Sequence, residues 1–303
     1  MDDPELLAER FEAHRGHLRA VAYRMLGSLS EAEDAVQEAW LKLSRSDTTE
    51  VANLGGWLTT VVGRVCLDML RSRTSRREDP LDVHEYAQVP DPVVSRADRA
   101  DPEHQAVLAD SVGLALLVVL ETLPPAERLA FVLHDMFAVP FDDIAPVVER
   151  TPAATRQLAS RARRRVQASP PPEPDLGRQR QVVDAFLAAS RGGDFDALLA
   201  LLDPDVVLRA DTGFVTAGAV KPLHASRIVR GARNVVEQAL TFSRFSPYAR
   251  PALVNGAMGL VTAVDGKTFS VMHFTLRDGR IAEINILADT DRLNRLELPA
   301  LDG

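Results

Sequence analysis

Residues Phe141 to Val166 read FDDIAPVVERTPAATRQLASRARRRV. The spacing predicts two short helices with a tight break, a helix-turn-helix. Ile144, Val147 and Val148 share one face of the first helix. Thr151 offers a side-chain oxygen as a cap, and Pro152 fits the first turn of the second helix, where a missing N–H costs nothing. Leu158, Ala162 and Val166 form an apolar stripe four residues apart. The other faces carry Thr155, Arg156, Gln157, Ser160, Arg161, Arg163, Arg164 and Arg165, and from Arg150 to Gln167 there are six arginines and no acid. Small and amide side chains near the start suit a major groove, and arginines toward the end suit phosphates. A surface helix with a solvated basic face is the competing reading, and the capped helix in front favours DNA.

The chain has 303 residues, which allows two or three domains, and 46% hydrophobic residues, enough for real cores. A net charge of -8 argues against a general DNA-coating protein, so DNA contact must come from local basic surfaces. The single cysteine, Cys66, excludes an internal disulfide and a cysteine metal cluster, and reads as a buried small residue on a helix. The acidic, polar N-terminus is unlike a signal peptide, and the longest apolar run, Val112 to Leu120, is too short to span a bilayer. A cytoplasmic protein with no membrane contact is expected.

Upstream, Pro4 to Leu26 has a helical apolar stripe ended by Gly27. Ser30 and Glu33 form a capping box for a helix to Leu43, with Ala32, Ala35, Val36, Ala39 and Leu43 inward and Asp34, Gln37, Glu38 and Leu41 on a partly acidic face. After a polar loop, a third helix runs from Trp57 to about Arg73, with arginines at its far end. Prolines and mixed charges from Glu78 to Pro102 read as an extended linker. Helices resume near Glu103 and cover Asp110 to Thr122 and Pro125 to Asp135. The prolines of Ser169 to Asp175 predict a stiff tether. Beyond it, Val182 to Ser190, Phe195 to Leu202 and Val229 to Phe242 read as helices, and Val206 to Ala210 as a strand. A meander follows at Ala257 to Val264, Thr268 to Leu276 and Arg280 to Leu287, turned by Asp265-Gly266 and Asp278-Gly279. The expected chain is two all-α domains followed by an α+β domain with a curved antiparallel sheet.

Three blocks in order, AYRMLGSLSEAEDAVQEAWLKL, GGWLTTVVGRVCLDMLRSR and ETLPPAERLAFVLHDMFAVPFDDIAPVVERTPAATRQLASRARRRV, closely resemble the bacterial extracytoplasmic-function sigma factors. HDMF and ATRQLASRARRRV look most like the subgroup with a C-terminal extension, which resembles the cone-shaped SnoaL-like fold. Where that subgroup has a glycine-rich motif, an Asn-Pro-Asp-Lys-Leu motif and a Trp-Leu-Pro-Glu-Pro linker motif, this chain has Asp211-Thr212-Gly213-Phe214, Asp289-Thr290-Asp291-Arg292-Leu293 and Gln88-Val89-Pro90-Asp91-Pro92. The resemblance implies sigma region 2 over 1–77, a linker over 78–104, region 4 over 105–169, a tether over 170–177 and a regulatory domain over 178–303.

The resemblance further implies that Asp34, Gln37, Glu38, Trp40 and Leu41 face the clamp helices of core RNA polymerase. Promoter DNA at the minus-ten element would meet Asn53, Arg64, Asp68, Arg71 and Arg73. At the minus-thirty-five element, Thr155, Arg156, Gln157 and Ser160 are the base-edge candidates, and Arg161, Arg164 and Arg165 the phosphate candidates. Asp211, Asp289, Asp291 and Arg292 are candidates for an intramolecular contact with the linker or sigma domains. The alternative for the extension is catalysis or ligand binding, for which Asp211, His224, Tyr248 and His273 are the polar residues of a concave sheet. No catalytic spacing is present, so no enzyme activity, metal or cofactor is expected. The sequence does not identify an anti-sigma partner.

Overall fold

The computed structural model describes residues 4–46, 51, 53–77, 89–97, 113–168, 173–214, 224–296 and 298–299, with the backbone alone at 4, 74–77, 212–214 and 224–226. They fall into two units, Met1–Val83 with Val119–Ser169, and His84–Val118 with Pro170–Gly303. Linker residues 78–88 and 98–112, including the helix expected from Glu103, lie outside the described residues, as do 47–50 and 52 of the loop after Leu43 and 169–172 of the tether.

In the first unit, α1 (Pro4–Leu26), α2 (Leu29–Leu43) and α3 (Leu54–Arg77) share a seam of Leu18, Val21, Met25, Val36, Leu43, Leu58, Val62 and the buried Cys66. Gly27, at φ 67, ends α1, and its N–H bonds Tyr23 O at 2.8 Å. Because the chain leaves that left-handed residue directly into extended Ser28, the cap of α2 is Ser28 and not Ser30. Ser28 Oγ accepts from Glu31 N at 3.5 Å. Glu33, freed from capping, pairs with Arg15 at 3.2 Å and Arg19 at 2.9 Å.

α4 (Leu114–Glu121) precedes α5 (Pro125–Phe131), which runs into a π-helical turn at Val132–Met136. α6 (Phe141–Val148) ends at Glu149 in the left-handed conformation, and Thr151 Oγ1 caps α7 (Pro152–Ala168) by accepting from Ala154 N at 3.2 Å. The buried stripe of α7 is Thr155, Ala159 and Ala162 rather than Leu158, Ala162 and Val166. Small side chains let α7 lie close to its neighbours, and Leu158 and Val166 are left half-buried at the edge.

In the second unit, α8 (Leu176–Gly192), α9 (Phe195–Leu201) and α10 (Ala232–Thr241) accompany a seven-stranded sheet. Its strands are β1 (Val94–Arg96), β2 (Leu202–Phe214), β3 (His224–Arg230), β4 (Ala249–Val254), β5 (Ala257–Val264), β6 (Lys267–Arg277) and β7 (Arg280–Leu287), in the order β1-β4-β5-β6-β7-β2-β3. Neighbours are antiparallel except β2 and β7, which run parallel. The core joins Val183, Phe186, Leu198 and Val235 to Leu208, Leu260, Phe274 and Ile284. Val229 belongs to β3 and not to the expected helix, because Gly231 at φ 86 turns the chain before α10. The short helix α11 (Thr290–Leu293) follows β7. β1 comes from the linker itself and pairs with β4, Val94 opposite Val254 and Arg96 opposite Ala252.

Candidate nucleic-acid and polymerase interfaces

On α2 the alanine-rich face is buried, so Asp34, Gln37, Glu38 and Leu41 stand exposed on the opposite side. Lys42 pairs with Glu38 at 3.1 Å. Trp40 is half-buried, its ring 5.1 Å from that of Phe11, beside a cavity of about 340 Å³ lined in part by Arg15, Glu33, Val36 and Gln37.

Asn53 stands at the start of α3 and its Oδ1 accepts from Gly56 N at 3.0 Å. Arg64, Asp68 and Arg71 are exposed along α3, with Arg71 3.9 Å from Asp68. Arg73 turns inward instead. Its Nε donates to Glu31 Oε1 at 3.2 Å and its Nη1 to Leu26 O at 3.2 Å, which ties the far end of α3 to the corner between α1 and α2. The expectation that Arg73 holds DNA is corrected: the carboxylate of Glu31, in the first turn of α2, takes its guanidinium.

On α7, Arg156, Gln157, Arg161, Arg164 and Arg165 are exposed and Ser160 is half-exposed. Thr155 is corrected too. It is fully buried and its hydroxyl donates to Thr151 O at 3.0 Å, so it faces the scaffold and not a groove. Arg156 lies over the Phe141 ring at 5.2 Å. Sequence reasoning missed the anions of α5 and the π turn. Buried Glu127 draws Arg161 to 3.7 Å and Arg165 to 3.3 Å, and Asp135 takes Arg163 at 2.9 Å. An acid in the first turn of α5 reads as a helix-dipole partner, and nothing local announces its long-range pairing.

The helices of this unit pack on one another across the two sequence blocks. Buried Arg128 donates to Met25 O at 2.8 Å and to Glu121 at 2.9 Å. Phe137 lies between the His17 ring, 5.1 Å away, and the Arg24 guanidinium, 4.8 Å away. A Cβ on Gly63 would lie 3.0 Å from Leu133 and 3.2 Å from Leu129.

In the second unit, Arg292 clasps the linker. Nε donates to Asp91 Oδ1 at 2.8 Å, Nη1 to Asp211 Oδ2 at 2.7 Å and Nη2 to Val89 O at 2.6 Å. Asp211 Oδ2 also accepts from Val89 N at 3.3 Å. Asp289 acts indirectly: its Oδ1 caps α11 through Asp291 N at 2.9 Å and Arg292 N at 3.0 Å, which aims Arg292. The Asp291 side chain is exposed, and the residue contributes only its backbone N–H to that cap. Asn255, unread in the sequence, adds a reciprocal pair. Its N–H bonds Val93 O at 2.8 Å, and its Oδ1 accepts from Val93 N at 3.0 Å. The signal was present in Asn255-Gly256, both at positive φ, a two-residue hairpin between β4 and β5.

Of the four polar pocket candidates, Asp211, Tyr248 and His273 do not converge. Asp211 is engaged with Arg292 and the linker, while His273 sits on β6, two strands away through β7. Burial pulls the His273 imidazole down to about 4, and among the described residues its Nδ1 has no hydrogen-bond partner. Tyr248 is exposed, and the His224 side chain lies outside the described residues. No group of three metal-ligating side chains occurs among the described residues, and none of their helices is long and apolar enough to cross a membrane.

The sequence profile of Sigma-70 region 2 matches residues 10–76, and that of Sigma-70 region 4 matches residues 113–166, so the helical elements are those of a sigma factor. The ECF RNA polymerase sigma factor SigJ of Mycobacterium tuberculosis is 42% identical over 297 residues, covering 93% of this chain and 91% of SigJ. The probable ECF sigma factor SigI of the same species is 35% identical over 98% of both chains. A crystal structure of M. tuberculosis SigJ superposes with a TM-score of 0.71 at 37% identity, covering 96% of this chain and 100% of that one, so the likeness includes the extension. The chain belongs to the ECF RNA polymerase sigma factors. It works with core RNA polymerase and promoter DNA in transcription initiation.

Proposed function

We propose that the α+β domain governs this sigma factor in cis by holding the linker between regions 2 and 4. The observation that carries the reading is the clasp of Arg292 on Asp91, Asp211 and the Val89 carbonyl, reinforced by β1 in the sheet. A linker segment bound as an edge strand cannot also be a free tether, so the domain limits how far the two promoter-reading regions can part. Residues 1–77 carry the minus-ten and polymerase contacts: Asp34, Gln37, Glu38, Trp40 and Leu41 for the clamp helices, and Asn53, Arg64 and Arg71 for DNA, with Asp68 orienting Arg71. Residues 105–169 read the minus-thirty-five element through Arg156, Gln157 and Ser160 and hold phosphates through Arg161, Arg164 and Arg165.

Catalysis by the extension is not part of this reading, because Asp211, the one carboxylate among its polar candidates, is already engaged with Arg292 and Val89. The test is in vitro transcription with core polymerase, full-length chain against a truncation after Pro170 and against Arg292→Ala. Both changes are expected to alter initiation in the same direction. Unchanged initiation in both overturns cis control while leaving the sigma assignment intact.

A further inference from the structure

Six large hydrophobic side chains are exposed among the described residues, and three of them border one 3-10 turn of the α+β domain: Phe242 at 53%, Tyr248 at 47% and Phe269 at 44%. Phe242 ends α10 and begins the 3-10 turn Ser243–Tyr248. Within that turn Phe245 stacks on Phe269 with centroids 4.6 Å apart, and the Arg244 guanidinium lies 4.8 Å over the Phe245 ring. Phe269 is the extra residue of a bulge, since Thr262 pairs with Ser270 but Ala263 pairs with Thr268. A bulge re-aims a side chain, and here it turns a phenylalanine out of the sheet. Tyr248 directly precedes β4, which is separated from β6 by β5, so the two ring positions start roughly 10 Å apart.

We propose that this corner binds single-stranded DNA, with bases stacking on Tyr248, Phe242 and the outer face of Phe269 and phosphates meeting Arg244 and Lys267. Rings held by a turn and a bulge are presented, not left over from folding. Both cations are exposed, and the acids nearest in sequence are Glu237 and Asp265. Basic side chains interleaved with free aromatic faces fit a strand whose bases are unstacked, whereas a duplex hides its base faces. A second copy fits less well, because a two-fold contact would set the same cations against each other. The inference rests on the sigma reading in one respect: promoter opening supplies the unpaired strand.

The test is fluorescence anisotropy of a labelled oligothymidylate with the full-length chain, with unlabelled duplex as competitor. Binding that resists duplex competition is expected. Tyr248→Ala with Phe269→Ala should weaken it about thirtyfold or more, the low end for two lost stacking contacts. Arg244→Glu should weaken it and flatten its salt dependence, and Phe269→Trp, which keeps a stacking face, should bind at least as well as the parent. These side chains are exposed, so thermal melts of the variants should match the parent; if the double variant melts early, Arg244→Glu and Phe269→Trp decide. No oligothymidylate binding by the parent, or equal binding by the parent, the double variant and Arg244→Glu, overturns the proposal. Altered sedimentation or altered core-polymerase binding with oligothymidylate binding unchanged also overturns it, assigning the corner to a second copy or to polymerase. Promoter-directed initiation by the double variant on duplex templates tests the sigma reading separately.

Discussion

Arg292 Nε lies 2.8 Å from Asp91 Oδ1, a contact that joins residues 201 positions apart. Asp211 completes it from β2, so one guanidinium serves two largely buried carboxylates, Asp91 at 6% and Asp211 at 9% side-chain exposure. Removing the cation leaves two anions facing each other. Removing one carboxylate leaves a balanced pair. Arg292→Ala should therefore cost about 3–5 kcal/mol of linker docking, and Asp91→Asn clearly less. Hydrogen exchange at the Val89 and Val93 amides measures both, and equal exchange in the two variants would contradict this charge balance.

Asn255 makes a second, independent hold. Its φ of 48 favours asparagine or glycine, and its amide oxygen takes the Val93 N–H. Asn255→Gly keeps the turn and loses only the side-chain bond, at about 1 kcal/mol, whereas Asn255→Ala adds backbone strain of roughly 1–2 kcal/mol. Thermal unfolding of the two variants separates the contributions, with Gly expected above Ala.

How far these holds could be read from the chain depends on their range. The helix-turn-helix, the cap at Thr151 and the β5–β7 meander were legible because spacing and turn residues act locally. Asp211 and Arg292 were reached only through family resemblance, and β1 was hidden because Val94-Ser95-Arg96 becomes a strand only when β4 supplies its partner. Thr155 and Arg73 were misplaced for one reason. The one-position rotation of α7 that buries Thr155 and the pairing of Arg73 with Glu31 of another helix each follow from packing that no single segment contains.

Glu127 is 6% exposed and faces Arg161 and Arg165. Both arginines are proposed phosphate contacts, so Glu127 competes with DNA for them. Glu127→Gln should release them, strengthening binding of the full-length chain to non-specific duplex and steepening its salt slope by up to about 2. By contrast, Arg164→Ala should lower the slope by about 1 on every sequence, and Gln157→Ala should reduce discrimination between specific and scrambled promoters. Titrations across salt with both duplexes check all three.

His273 gives the α+β domain an acid limit. Its ordinary value is 6.5, and burial lowers it to about 4 in the folded chain. The unfolded chain therefore binds the proton first, so stability falls as pH drops through the window from 6.5 to 4 and is flat above it with respect to this group. The loss across that window is roughly 3 kcal/mol. Denaturant unfolding at a series of pH values should show this limb in the parent and lose it in His273→Gln.

Gly63 governs a different equilibrium. The minus-ten and minus-thirty-five elements lie about 25 base pairs apart, roughly 85 Å at 3.4 Å per step. Yet α3 meets α5 and its π turn where Gly63 faces Leu129 and Leu133. On the proposed assignment of the two elements to residues 1–77 and 105–169, those helices part before both elements are bound. A Cβ there meets side-chain methyls at 3.0 and 3.2 Å, so Gly63→Ala asks a small shift and gains helix propensity of ~1 kcal/mol, leaving stability nearly unchanged. Gly63→Leu overfills the contact at about 1–3 kcal/mol. It should melt earlier and form promoter complexes with core polymerase at lower sigma concentration than the parent. Earlier melting with no gain in promoter complexes would show that this contact does not restrain initiation.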